Sequence, residues 1–319
     1  MSGNRCFGAR STTDEVLQGI NLRGWVAVVT GASGGLGEET ARALAAAGAH
    51  VVVAARNEQK ASVALERIRV ATGSEALEFE RLDLASLASV RACAARLLRR
   101  HLAIHLLINN AGIMACPLER TVEGFEMQLA SNHLGHFLLA GLLLPSLLRA
   151  APSRVVALSS IGHRVCGVQL DDLNFERRAY NAWIAYGQSK TANVLFAVEF
   201  DRRFGPDGVH AYAVHPGAIP TELNRHLDAA ELAAVDAHSP GGKLQRKTVA
   251  EGAATTVYAA TAPELAGRGG CYLEDCHVAA INDARGSAEG VKSYALDGAM
   301  ALGLWTASEA MVGERFGAA

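Results

Sequence analysis

Short apolar runs alternate with longer stretches of helical periodicity along most of the chain. Buried strands are predicted at residues 25–30, 50–55, 105–109, 154–159 and 208–214, an alternating strand at 76–84, and a short strand near Cys271. Helices are predicted at residues 36–47, 58–71, 86–100, 124–148, 186–204 and 248–261, with one more near the C-terminus. The alternation predicts an α/β fold, a doubly wound parallel sheet of about seven strands flanked by helices.

The same pattern predicts a polar N-terminal arm, residues 1–23, followed by one domain, residues 24–319. No repeat and no linker divides the second stretch. Residues 216–247 lack clean periodicity and carry three prolines and two adjacent glycines, so a long excursion is predicted there. Long excursions in compact domains are usually functional, and this one is expected to cover the substrate.

Composition and charge narrow the classes of function. The net charge is −2, so no surface for nucleic acid is expected. The six cysteines fit no common zinc spacing, and His133 and His136 lack a third ligand, so we expect no metal and a reducing, cytoplasmic location. The longest apolar run, 137–148, is shorter than the roughly 20 residues that cross a bilayer, so no membrane association is expected.

The first predicted strand ends in a glycine-rich turn, TGASGGLG, at residues 30–37. Gly31, Gly35 and Gly37 allow a tight turn, and they let backbone N–H groups and a helix N-terminus approach a pyrophosphate. Such a cluster alone could be an ordinary flexible turn. Its place after the first strand of an α/β pattern favours a dinucleotide site and a Rossmann-type domain. The other predicted contacts in this turn are Ser33, Gly34 and Leu36.

The end of the second strand bears on the choice of cofactor. An acidic residue there would bind the free ribose 2′-hydroxyl, but the sequence has Ala54, Ala55 and Arg56. The guanidinium of Arg56 suits a 2′-phosphate, and the hydroxyl of Ser33 could assist it. The alternative is an arginine solvated at a loop tip. NADP(H) is therefore the predicted cofactor, with use of NAD(H) left open.

A tyrosine and a lysine, Tyr186 and Lys190, are four residues apart and share one face of a predicted helix. A nearby ammonium favours the phenolate and lowers the pKa of a tyrosine, which makes the phenol a usable general acid and base. The pair alone is weak evidence, because a chain of this length can hold one by chance.

Other polar residues follow predicted strands, where ligands bind in open α/β sheets. Ser159 and Ser160 end one strand, and Asn109 and Asn110 end another. A serine hydroxyl can donate to a carbonyl oxygen that gains negative charge, although a turn residue that bonds its own backbone is the commoner case. Asn132 lies within a predicted helix although it is a poor helix former, which indicates a purpose other than helicity.

Several short motifs occur in order along the chain. They are TGASGGLG, Asp83-Leu84, NNAG at 109–112, Asn132, the serine pair, YGQSK at 186–190 and HPGAIPT at 215–221. In this combination the chain resembles the short-chain dehydrogenase/reductase family over roughly residues 22–315. NHLGHF, YLEDC at 272–276 and the late LW..SE at 304–309 are similar to the branch that contains retinol dehydrogenases and protochlorophyllide reductases.

The resemblance implies a role for each matching residue. Tyr186 would be the general acid and base, and Ser160 would orient the substrate oxygen. Lys190 would bind the nicotinamide ribose and lower the tyrosine pKa, and Asn132 would support a water-linked proton relay. The implied cofactor contacts are Asp83 at the adenine, Leu84, Asn110, Ala111, Gly112, Pro216, Gly217, and Ile219 and Thr221 at the carboxamide.

The implied reaction is hydride transfer between a nicotinamide and the carbonyl group or secondary alcohol of a small, apolar substrate. Two alternatives stay open, namely a non-catalytic dinucleotide-binding regulatory protein and a reductase of a carbon–carbon double bond. Relatives in the family pair through the helix at 137–148 and the helix that carries the tyrosine. Because the first of these is strongly apolar, a homodimer or homotetramer is expected.

Overall fold

The computed structural model describes residues 7–220, 223 and 245–317, and these residues form an eight-stranded sheet. The order is β3-β2-β1-β4-β5-β6-β7-β8, parallel throughout except for the last pair. The strands are β1 Val26–Thr30, β2 His50–Ala55, β3 Leu77–Arg81, β4 Leu106–Asn109, β5 Ser153–Leu158, β6 Val209–His215, β7 Cys271–Glu274 and β8 His277–Val278. The predicted doubly wound α/β fold is confirmed, and the count of about seven strands omitted only the two-residue antiparallel edge strand.

Helices pack on both faces of the sheet. They are α1 Thr13–Leu17, α2 Gly35–Ala46, α3 Glu58–Thr72, α4 Leu87–Arg100, α5 Met127–Leu129, α6 Gly135–Arg149, α7 Ala182–Phe204, α8 Val249–Thr261 and α9 Gly298–Val312. One apolar core lies among α4, α6, α7 and α9. The other lies among α1, α2, α3 and α8. The central strands read as unbroken apolar runs because successive residues face these two cores in turn.

Two predicted helix starts differ from the structure. The helix predicted from residue 124 begins at Met127, because the Glu126 carboxylate accepts the N–H groups of Gln128 and Leu129 and so caps the first turn. The helix predicted from residue 186 begins at Ala182, where Asn181 provides the cap. Capping side chains, which the apolar period does not reveal, set both starts.

The predicted N-terminal arm contains a short helix that is docked onto the sheet domain. Thr12 and Glu15 form a capping box at the start of α1, and Val16 and Leu17 are buried in the core that α1 shares with α2 and α8. Arg42 of α2 donates to the carboxylate of Asp14 at 2.7 Å. The N-terminal segment is thereby held against α2 and α8.

The apolar helix α6 is covered within the chain itself. Phe137 packs edge-on against Trp305 of α9, with ring centroids 4.8 Å apart, and Trp305 also stacks on Phe196 of α7. Phe316 fills the space beside Gly141, where an added Cβ would lie 2.4 Å from its ring. The apolar face from which pairing through α6 and α7 was predicted is therefore occupied by the C-terminal helix.

Most of the predicted excursion at 216–247 lies outside the described residues. Among the described helices, none combines the length and the apolar character needed to cross a bilayer. The strand order reverses between β1 and β4, and in open α/β sheets ligands bind at the carboxyl ends of the strands beside such a switch point. The candidate site lies at this edge.

Candidate active site

A single cleft of about 2190 Å³ at the carboxyl ends of the strands collects nearly all the predicted site residues. It is lined by Gly31, Ser33, Gly34, Gly35, Leu36, Gly37, Arg56, Asp83, Leu84, Asn110, Ala111, Gly112, Ser160, Tyr186, Lys190, Pro216, Gly217 and Ile219. Two predicted residues are not among them. Asn132 is fully buried behind the cleft wall, and Thr221 lies outside the described residues.

The glycine-rich turn is built for close approach of the backbone. Gly31 and Gly35 have φ of +66° and +56°, a region that favours glycine. A Cβ at Gly31 would lie 2.8 Å from the Cα of Ala111, and one at Gly37 would lie 2.5 Å from Nδ2 of Asn110. The turn therefore packs directly on the loop after β4, and α2 begins at Gly35 on the cleft wall. These features fit a bound pyrophosphate.

The loop after β4 is fastened to β1 by hydrogen bonds. The Nδ2 of Asn110 donates to the carbonyl oxygen of Thr30 at 2.8 Å. The hydroxyl oxygen of Thr30 accepts the N–H groups of Asn110 and Ala111, each at 3.0 Å, and lies 2.8 Å from Nε2 of His136. Because both backbone and side chain of Asn110 bind β1, the two strands at the switch point are locked together.

At the catalytic end, Tyr186 and Ser160 both line the cleft, and both side chains lie beside Gly162. Gly162 makes room for the phenol ring, since a Cβ there would lie 2.7 Å from Cε1 of Tyr186. Burial raises the pKa of Tyr186 to about 12, although the Ser160 hydroxyl acts to lower it. The sequence predicted a lowered pKa through Lys190, so the net direction is the opposite, because the cost of burying a phenolate outweighs the stabilisation by its neighbours.

Lys190 lies one helical turn along α7, and its Nζ is 5.6 Å from the centre of the Tyr186 ring. The Nζ donates to the carbonyl oxygen of Leu158 at 3.0 Å. Burial lowers the pKa of Lys190 to about 8. A Cβ on Gly112 would lie 3.4 Å from Nζ and 3.2 Å from Oδ1 of Asn132, so both side chains approach Gly112 closely.

Asn132 sits in a π-helical turn, Ala130–Leu134, between α5 and α6. Its amide oxygen accepts the N–H of Ile113 at 2.9 Å, and its Nδ2 donates to the carbonyl oxygen of Ile113 and to the hydroxyl of Ser189. Turns of this kind are frequent at functional sites. The side chain thus ties the loop after β4 to the helix that carries Tyr186.

At the other end of the cleft, Arg56 lies at the start of the loop after β2, with Asn57 and Lys60 beside it on the cleft wall. An oxygen of the Asp83 carboxylate accepts the N–H of Ala85 at 3.1 Å, which fixes the turn after β3. The cations Arg56 and Lys60 and the carboxylate of Asp83 therefore lie at the end of the cleft where the adenosine half of a dinucleotide was predicted.

The loop after β6 closes the remaining side of the cleft. Gly217 has φ of +95°, and Lys247 packs against it while its Nζ forms an ion pair with Asp275. Ile219 reaches α8, where a Cβ on Gly252 would lie 2.5 Å from its Cγ1. The predicted carboxamide contact Ile219 thereby has a fixed position in the wall.

Comparison with known families and relatives agrees with this geometry. The family described as short chain dehydrogenase matches residues 25–232. The chain belongs to the short-chain dehydrogenase family. It is 43% identical over 297 residues to short-chain dehydrogenase/reductase prx1 of Penicillium roqueforti, covering 92% of this chain and 86% of that one. It is 42% identical over 267 residues to retinol dehydrogenase 11 of Mus musculus, covering 82% and 81%. The resemblance to the retinol dehydrogenase branch is confirmed.

Solved structures show the same fold. An uncharacterised protein from Mycobacterium paratuberculosis matches with a TM-score of 0.74 and 34% identity, over 97% of this chain and all of that one. RhlG of Pseudomonas aeruginosa, solved as an NADP complex, matches with a TM-score of 0.63 and 28% identity, over 80% and 95%. This short-chain dehydrogenase is accordingly an oxidoreductase that uses a nicotinamide dinucleotide.

The structure also places residues at this dehydrogenase site that the sequence reasoning missed. Thr30, His136 and Gly162 support the catalytic end, and Lys60 and Arg10 line the cleft. Thr30 and Gly162 could have been found, because Thr30 is the first residue of the glycine-rich motif and Gly162 is two residues after the serine pair. His136 and Arg10 could not, because the first is fixed by a contact across 106 residues and the second comes from the segment assigned to an arm.

Proposed function

We propose that this short-chain dehydrogenase reduces the carbonyl group of a small, apolar ketone or aldehyde with NADPH, and that it runs the reverse alcohol oxidation less readily at neutral pH. The single observation that carries the proposal is the position of the Tyr186 phenol and the Ser160 hydroxyl side by side on the cleft wall, with Lys190 one helical turn from the tyrosine. The bound dinucleotide would supply or take up the hydride.

Proton donation would come from Tyr186. With its pKa raised by burial to about 12, the phenol is protonated at neutral pH and ready to donate to an oxygen that gains negative charge. Ser160 would hold the same oxygen through its hydroxyl. Its Oγ already accepts the N–H of Gly162 at 3.0 Å, which leaves the hydroxyl hydrogen for the substrate.

Lys190 and Asn132 would prepare Tyr186 for that transfer. The buried ammonium of Lys190 lies close enough to stabilise the phenolate that forms when the proton leaves. Asn132 would hold the loop beside Lys190 through its two bonds to Ile113. We propose that Asn132 positions the proton path for a water-linked relay, while its side chain itself stays outside the cleft.

The preference for NADPH over NADH would come from the end of β2. Residues 54–56 include no carboxylate that would repel a 2′-phosphate, and Arg56 and Lys60 both line the cleft. A charge-assisted hydrogen bond contributes about 1.5–3 kcal/mol. Lys60 supplies the second cation that the sequence reasoning had not found.

The substrate class follows from the cleft wall near Tyr186. Apolar side chains line this part, namely Ile113, Met114, Ile161, Val165 and Trp183. The hydroxyls of Tyr186 and Ser160 are the polar groups that we assign to the reacting oxygen. An apolar ketone or aldehyde would therefore bind through burial of its body, with its oxygen fixed by two hydrogen bonds.

The test is a panel of apolar and polar ketones and aldehydes, each assayed with NADPH and with NADH by the loss of nicotinamide absorbance. We expect turnover of apolar carbonyl compounds with NADPH and identification of the secondary or primary alcohol as product. A chain that binds NADPH but turns over no compound would be a regulatory dinucleotide-binding protein. A product in which a carbon–carbon double bond is reduced and the carbonyl group is intact would identify the protein as a reductase of carbon–carbon double bonds.

A further inference from the structure

A cluster of three side chains lies at the opposite edge of the sheet from the cleft. His50 is the first residue of β2, Glu78 is the second residue of β3, and His101 directly follows α4. None of the three lines the cleft. The cluster is therefore separate from the dehydrogenase site and is unused by its chemistry.

Both histidines converge on the one carboxylate. The Nε2 of His50 lies 2.6 Å from Oε1 of Glu78, and the Nε2 of His101 lies 3.3 Å from Oε2. The ligand atoms offered by the three residues all lie within 4.8 Å of one another. Two neighbouring strands and a helix end hold them, and β2 pairs with β3 in a fixed parallel register.

We propose that His50, Glu78 and His101 bind a divalent transition metal ion, with zinc as the best match. Two imidazole nitrogens and one carboxylate, with a fourth position for water, are a donor set that zinc takes in proteins. Two ligands of one zinc ion lie at most about 4 Å apart, since each bond is about 2.0–2.2 Å long. His50 is 33% exposed and can make the small movement required.

The charges around the cluster set the strength of binding. Arg100 is the neighbouring cation, with Nη1 at 3.5 Å from Oε2 of Glu78. Its other terminal nitrogen makes a closer ion pair with Glu80, which Arg96 also contacts. The guanidinium is therefore engaged mainly by Glu80, and each oxygen of the Glu78 carboxylate keeps one histidine as its partner.

The bound ion would tie the amino ends of β2 and β3 to the end of α4. Because a ligand that binds only the folded chain shifts the unfolding equilibrium, the metal would stabilise this edge of the domain. The role is structural, and the reaction in the cleft does not depend on it.

The test uses the full, untagged chain, freed of metal with a chelator and titrated with Co²⁺. We expect one equivalent to bind, with visible absorption typical of a tetrahedral or five-coordinate nitrogen and oxygen site and without the near-ultraviolet band of a thiolate ligand. Zn²⁺ should displace the cobalt and raise the melting temperature. The matched variants are His50→Gln and His101→Gln, because a glutamine amide can still donate to Glu78 but is a poor zinc ligand.

Each glutamine variant should weaken Co²⁺ binding by about tenfold or more and abolish the thermal shift with Zn²⁺. The control His277→Ala removes an exposed histidine elsewhere and should change neither. Absence of saturable cobalt uptake, a thiolate band, or unchanged binding in both glutamine variants would each overturn the proposal. Melting of the metal-free variants close to the metal-free parent excludes misfolding as the cause of a loss.

Discussion

At the scale of single residues, the catalytic end depends on the phenol of Tyr186. Tyr186→Phe removes the proton donor and keeps the ring against Gly162. Because general acid–base groups contribute about 10²–10⁴-fold, we expect turnover to fall by that factor while NADPH still binds. Steady-state kinetics and fluorescence titration with NADPH measure the two effects. The control Tyr258→Phe makes the same change in α8, away from the cleft, and should keep full activity; near-normal turnover in Tyr186→Phe would refute the mechanism.

The pH dependence should differ between the two directions of the reaction. Burial raises the pKa of Tyr186 to about 12, so the phenol stays protonated through the neutral range. Reduction needs the protonated phenol, so its rate should not change with pH at lower pH. Burial lowers the pKa of Lys190 to about 8, and the rate of reduction should decline above that pH as Lys190 loses its charge.

Oxidation of the alcohol needs the phenolate, so its rate should rise with pH over the range in which reduction is level. Profiles of kcat/KM in both directions, at saturating cofactor, test this. An oxidation rate that falls as the pH rises would contradict the assigned pKa direction.

Cofactor preference is also decided at single residues. Arg56→Ala should lower kcat/KM for NADPH by about 10- to 100-fold, corresponding to one charge-assisted hydrogen bond, and leave the value for NADH nearly unchanged. Lys60→Ala should lower kcat/KM for NADPH by a smaller factor. The guanidinium of Arg56 can form two parallel hydrogen bonds to a phosphate, whereas the ammonium of Lys60 acts as a point charge. A parent enzyme that favours NADH, or an unchanged cofactor ratio in Arg56→Ala, would show that this reading of β2 is wrong.

At the scale of elements, the N-terminal segment has more than one function. The α1 helix docks on α2 and α8, and the preceding Arg10 lines the cleft while its guanidinium donates to the carbonyl oxygen of Arg246. A segment that the sequence assigned to an arm therefore places a guanidinium, ion-paired with Glu251 at 3.4 Å, in the lining of the cleft.

Arg10→Ala should raise the dissociation constant of NADPH several-fold, because it removes a cation near a ligand that carries several negative charges. The effect should shrink at high salt, since the guanidinium is more than half exposed. Titrations at low and high ionic strength measure it. Arg23→Ala, which changes an arginine outside the cleft lining, is the matched control. Equal NADPH affinity in the parent and in Arg10→Ala at low salt would exclude this contribution.

At the scale of the whole molecule, the C-terminal helix α9 covers apolar side chains of α6 and α7 that could otherwise contact a second chain. It packs on α7, and Trp305 contacts aromatic rings of both α6 and α7. The outward side chains of α9 are mostly small, such as Ala299 and Ala310, with Leu302 as the exception. The sequence-based expectation of a dimer or tetramer rested on the apolar run at 137–148 and on relatives that pair through this helix and the tyrosine helix. In the structure, α9 packs on the apolar side chains of that run.

We therefore expect light scattering at micromolar concentration to give the mass of one chain, 33.5 kDa. Pairing through α6 and α7 would first require α9 to leave, at the expense of the buried Trp305 and Phe316. A stable dimer in which hydrogen exchange at 137–148 slows on association would restore the original expectation. A dimer without that protection would use another surface and would still leave the α6–α7 face covered.

The architecture and most of the cleft wall could be predicted from the order of residues alone. Unbroken apolar runs, separated by amphipathic helices, leave a parallel sheet covered on both faces as the arrangement that buries them. The ends of parallel strands meet at one edge, so residues such as Gly31, Asn110 and Ser160 had to converge once the strands were recognised. Local turn chemistry and the succession of strands and helices along the chain are encoded over short stretches, which is why they could be predicted.

Properties that depend on distant neighbours became visible in the folded chain and not before. The pKa of Tyr186 depends on how completely it is buried, which its spacing from Lys190 does not reveal. Asn132 is buried in a π-helical turn, where its side chain connects the loop after β4 to α7. Arg10, from the segment that was predicted to be an arm, lines the cleft. Burial and long-range contacts arise from packing of the complete chain, and residues far apart in sequence carry no local sign that they will meet.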